Sequence, residues 1–140
     1  MRILNPIMAA LFLLSAAVQF NDPDPIQWIA IYTTAAFACV LATGVAWQVR
    51  RPHGIERARG NLRAKVQWIS VLTGMAAFVW AAFLLPEAVR QNAPLSLPLV
   101  FGSAEMMNER VELVREIGGL SIVAFWMLVV FFTGRKASVP

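Results

Sequence analysis

Gln19, Asn21, Asp22 and Asp24 put two carboxamides and two carboxylates within six residues, and Pro23 and Pro25 stiffen the backbone around them. Oxygen-rich corners of this kind suit hard divalent cations such as calcium or magnesium. They can equally orient a polar headgroup or pair with an arginine. A plainer reading competes. A short connection between two helices needs turn formers, and Asp24 before Pro25 is a helix start, with Asp as the cap and Pro at the first helical position. One capping Asp suffices for that, so Asp22 is the residue the plainer reading leaves unused.

A second acidic set lies near the other end of the chain. Glu105, Glu109, Glu112 and Glu116 are spaced by 4, 3 and 4 residues, which places them within roughly 60° on one helical face. Like charges at this spacing repel. Solvent relieves most of the stripe, but Glu116 runs straight into Ile117-Gly118-Gly119-Leu120, so it sits at or below a membrane interface. A carboxylate there is costly unless paired or protonated. Arg115 can reach Glu112, which leaves Glu116 to find another partner. A solvated face plus one interfacial acid is the plainer account. The functional one joins the two sets into an outer polar site of Gln19, Asn21, Asp22, Asp24, Glu112, Arg115 and Glu116, with Asp22, Asp24 and Glu116 as candidate ligands for a divalent cation. No other cofactor is predicted. The single histidine, His53, the lone Cys39 and the lack of any nucleophile–base or phosphate-loop pattern give no catalytic residue to name.

The elements that must hold these residues are membrane helices. Of 140 residues, 59% are hydrophobic and 14% charged, against about 25% charged in a soluble domain. Four apolar runs, about 4–20, 25–49, 66–85 and 104–133, predict an all-α membrane protein with a single four-helix transmembrane domain over 1–140. Asn5-Pro6 reads as cap and first position of the first helix. Arg2, the apolar stretch and Ser15-Ala16-Ala17 also fit a secretory leader, but the run leads directly into the polar corner and a second span, which favours an uncleaved helix. Trp28, Tyr32 and Trp47 read as interfacial anchors. Residues 50–65 read as a turn-rich basic loop, and the third run ends at Pro86. Residues 86–102 read as a proline-broken segment lying on the bilayer or over the helix ends. Ser103 is the expected cap of a last helix that projects above the membrane and stops at Gly134. Gly118 and Gly119, with Gly44 and Gly74, suit close helix approach. Gln-Trp-Ile recurs at 27–29 and 67–69, as the trace of an inverted repeat would.

Charge predicts orientation. With both ends and the middle loop on one side, that side holds nine of the twelve basic residues, and the other holds seven of the eight acids. The positive-inside rule makes the basic side cytoplasmic. The basic residues therefore report topology rather than nucleic-acid binding, and the expected partners are membrane lipids and other membrane subunits or further copies of the chain. The Ala- and Arg-rich composition points to a bacterial cytoplasmic (inner) membrane.

The corner Gln19, Asn21-Asp22-Pro23-Asp24-Pro25, Trp28 and Tyr32, together with Arg115-Glu116 before Gly119-Leu120, resembles the transmembrane protein 220 family of small four-span proteins. The resemblance covers nearly the whole chain in span order, though its specific motifs cover few residues. It implies a fold and two positions of interest, and it implies no reaction. The expectation is a non-catalytic interaction or accessory subunit of a larger membrane assembly. The alternative is an outward-facing binding or catalytic protein using the carboxylate site. A proton- or cation-coupled transporter relying on Glu116 is a third, weaker possibility, because four spans are few.

Overall fold

In lipid an apolar run has no partner for its backbone but itself, and the chain is helical accordingly. The computed structural model describes residues 1–21, 25–48, 56–90 and 109–136, with side chains for 1–20, 25–46, 60–90 and 113–134. These hold four α-helices and no strand: α1 (Leu4–Val18), followed by a 3-10 turn over Gln19–Asn21, then α2 (Pro25–Gln48), α3 (Glu56–Arg90) and α4 (Glu109–Lys136). Three of them, α2, α3 and α4, are long and apolar enough to cross a membrane, whereas α1 is a shorter apolar helix.

Side-chain contacts fix the directions. Phe12 of α1 stacks near Tyr32 of α2, and Trp28 of α2 against Trp80 of α3. Gly74 of α3 faces Ala124 and Met127 of α4, and Gly134 faces Gln67. Consecutive helices are therefore antiparallel, and the start of α1, the end of α2, the start of α3 and the end of α4 share one end of the molecule. The packing is not that of an evenly closed bundle. α1 lies along α2 and α3 along α4; α2 also touches α3 and α4, while among the described residues α1 makes no comparable approach to either. Centrality suits α2 because Ala35, Ala36, Ala38 and Cys39 are buried there, and small side chains let transmembrane backbones approach closely.

The exterior is what lipid requires. Less than a third of each long span is buried, and Phe78, Phe83, Phe125 and Leu72 face outward. The hydroxyls bond within their own helices: Ser15 donates to the Leu11 carbonyl, Thr34 to Ala30, Thr43 to Cys39, Ser70 to Val66 and Thr133 to Val129. Such back-bonding satisfies a polar group without an external partner.

Several sequence expectations need correction. Asn5 is no cap: α1 begins at Leu4, its N-cap residue Ile3 has no capping side chain, and Asn5 is buried inside the first turn. α3 begins at Glu56, well before hydropathy rises, because residues 56–65 are mostly strong helix formers that outweigh Gly60. It continues through Pro86 to Arg90, and Pro86 leaves only the carbonyl four residues earlier without its usual donor. α4 passes Gly134 and ends at Lys136. Trp28 and Tyr32 are not outward-facing anchors. They are 2% and 5% exposed and pack into the core. Trp68, the repeat counterpart of Trp28, is 67% exposed, so the shared tripeptide does not perform a shared packing role. Of the four glycines, Gly74 and Gly119 meet neighbours, whereas Gly44 and Gly118 face open space. Asp22, Pro23, Asp24, His53, the segment 91–102, Ser103 and Glu105 lie outside the described residues, as do the side chains of Asn21, Trp47, Glu109 and Glu112.

Candidate functional site

At the end remote from the termini, the beginnings of α2 and α4 run side by side. Tyr32 carries its ring inward between Phe12 and α4, and its hydroxyl packs on Gly119. This contact joins the two stretches singled out in the sequence. It also gives a register: 119 − 32 = 87. α2 and α4 are parallel, so the same offset carried toward the helix starts sets Pro25 level with Glu112 and Ile29 level with Glu116. The start of α2 and the first turns of α4 thus share one height along the molecule.

Glu116 is half-buried. It stands one turn before Leu120, which opens the buried stripe Leu120, Val123, Met127 and Val130. Its helical position therefore points toward the bundle rather than toward lipid. Arg115 is exposed and Gln19 half-buried. Arg115, Glu116 and Tyr32 are all engaged in interactions. On the α3 side of this end, Glu87 and Arg90 form an exposed pair at 3.8 Å. The α2 start and the Glu116 turn are thus brought together; the positions of the Asp22, Asp24 and Glu112 carboxylates fall outside the description. Among the described residues no group of three or more His, Cys, Asp and Glu is arranged to hold a metal ion.

The end that holds the termini contains a feature that sequence reasoning missed. A cavity of about 140 Å³ is lined there by residues of all four helices, among them Asn5, Arg63, Gln67 and Thr133. Asn5 is 3% exposed, and its side-chain oxygen has no hydrogen-bond partner among the described residues. The available signal was a polar residue near the same end of three separate runs. No single segment shows a motif, because α1, α3 and α4 each supply only one or two of the polar side chains and α2 supplies none.

Alternating helices, a lipid-matched exterior and back-bonded hydroxyls define a small helical membrane protein. The family model described as "Transmembrane family 220, helix" matches residues 11–132, and the chain belongs to that family. No solved structure matches it.

Proposed function

We propose that this protein is a non-catalytic interaction subunit of a larger membrane assembly, held in a bacterial cytoplasmic membrane with both termini and residues 50–65 on the cytoplasmic side. The observation that carries the reading is on α1. Its face toward α2 is Asn5, Ala9, Phe12 and Ala16, all buried. On the opposite side Leu4, Ile7, Leu11, Leu14 and Val18 are all exposed. Their spacing of 3, 4, 3 and 4 is the repeat by which one helix seats its side chains into another. Among the described residues α1 packs closely along α2 alone, and a helix so placed that carries a second such seam is suited to a helix from another protein. The charge asymmetry supports the orientation.

Photo-crosslinking in native membranes tests this. A benzophenone amino acid at Leu11 or Leu14 should give a discrete protein adduct, while the same group at exposed Phe83 on α3 should not. Lipid adducts alone at all three positions, together with purification as a lone chain in mild detergent, would remove the proposal.

The Tyr32–Gly119 contact supports a second reading, an outward-facing carboxylate site for a divalent cation, because it brings the start of α2 level with the first turns of α4. Calorimetric titration with calcium and magnesium should then show binding that Asp22→Asn and Glu116→Gln each weaken. Heats unaffected by both substitutions would exclude it.

A further inference from the structure

The cavity at the terminal end is polar in a specific way. No acidic residue is among the described residues that line it; Arg63 and Gln67 come from α3, Asn5 from α1 and Thr133 from α4. The Thr133 hydroxyl donates its proton to the Val129 carbonyl at 2.7 Å, so toward the cavity it is an acceptor. The Asn5 side-chain oxygen is a second acceptor, buried and without a partner among the described residues. A buried acceptor left unsatisfied costs about 1–3 kcal/mol. The volume of about 140 Å³ exceeds what one water fills. Two acceptors on facing helices therefore call for a ligand with hydroxyl donors. Arg63 calls for an anion: its planar fork of five donors matches phosphate, and beside the interaction it makes elsewhere its buried Nε has no hydrogen-bond acceptor among the described residues.

We propose that this cavity binds a phosphate ester bearing a free hydroxyl, the chemistry shared by a phosphatidylglycerol headgroup and free glycerol phosphate. The neighbouring surface favours the lipid. One turn further along the same faces, Val66 gives way to Ser70 and Gly74, and Gln67 to Val71 and Met75. There they line an apolar groove of about 540 Å³ with Met127 and Phe131 of α4. A lipid whose headgroup fills the cavity has a bed for an acyl chain in that groove.

Native mass spectrometry of the purified chain with added lipids tests the assignment. Phosphatidylglycerol should be retained over phosphatidylcholine and over phosphatidylserine, which is anionic but lacks the glycerol hydroxyls. Arg63→Gln should weaken retention about 10- to 100-fold, the equivalent of one charge-assisted hydrogen bond. Asn5→Leu should also reduce it, and Thr133→Val supplies the acceptor test if Asn5→Leu does not fold. Binding of free glycerol phosphate with no lipid preference would assign the site to the soluble ester instead. Equal retention of phosphatidylserine, retention unchanged in these variants, or no binding of either probe would overturn the proposal and leave the cavity to water.

Discussion

The hydroxyl of Tyr32 occupies the space beside Gly119 where a β-carbon would stand. Two residues 87 positions apart (119 − 32) are thereby fitted to each other, and the fit fixes the height of α2 against α4. A methyl group at Gly119 has to displace a ring already held between Phe12 and α4. Overpacking of this kind costs about 1–3 kcal/mol. Gly119→Ala should therefore lower stability in detergent by that amount, and Tyr32→Phe in the same chain should recover part of it. Additive losses in the double variant, measured by denaturant titration, would show that the two residues do not share the space.

Gly74 is a milder case. A β-carbon there would lie 3.0 Å from the Met127 β-carbon, a contact that small helix shifts can relieve. Gly74→Ala should cost less than Gly119→Ala, and Gly74→Leu should separate α3 from α4. Gly44→Ala and Gly118→Ala meet nothing and should stay within about 0.5 kcal/mol of the parent. A ranking in which Gly118 exceeds Gly119 would contradict the packing.

The tryptophans should divide by environment. Trp28 is buried with its ring centre 5.1 Å from that of Trp80, whereas Trp68 is largely exposed. In single-tryptophan variants, brominated lipids should quench Trp68 strongly and Trp28 weakly. Trp28→Ala should destabilise by about 3–5 kcal/mol, and Trp68→Leu should be nearly neutral. Strong lipid quenching of Trp28 would place its ring outside the core.

Two acids at the same end should respond differently to neutralisation. Glu87 and Arg90 form a solvent-exposed pair at 3.8 Å, and such pairs contribute about 0–1 kcal/mol and fade in salt. Glu116 heads the buried stripe of α4 and is engaged there. Glu116→Ala removes an interaction made by a half-buried acid, so it should cost about 1–3 kcal/mol and do so at high salt as well. Equal, salt-sensitive losses at both positions would mean that Glu116 is an ordinary surface acid.

The four helices and their alternation were legible because membrane helices announce themselves through hydropathy. Tyr32 and Gly119 were both noticed for the same reason a motif is noticed, yet their contact was not, since no sequence pattern says which way a ring points around its helix. That is also why Trp28 read as an anchor at the membrane surface. The start of α3 was missed because hydropathy marks a span while propensity marks a helix, and residues 56–65 have the second without the first. The terminal-end cavity was out of reach for another reason. Asn5, Arg63, Gln67 and Thr133 meet only after four helices are packed, and Asn5 in particular mimics a cap so well that its burial one position inside the helix was concealed.

The length of α1 reaches beyond the protein into the bilayer. Fifteen helical residues rise about 22 Å, against a hydrocarbon thickness of about 30 Å, while α3 runs for 35 residues. The 3-10 turn over Gln19–Asn21 adds about 6 Å, so this flank falls only slightly short of its surroundings. The lipid touching that flank must thin or the helix ends must be drawn inward, at fractions of a kcal/mol for each ångström of mismatch. That elastic cost falls when a second short helix shares the thinned patch. On the proposal that α1 seats a partner helix, the bilayer itself adds to the drive toward the face that carries Leu4, Ile7, Leu11, Leu14 and Val18.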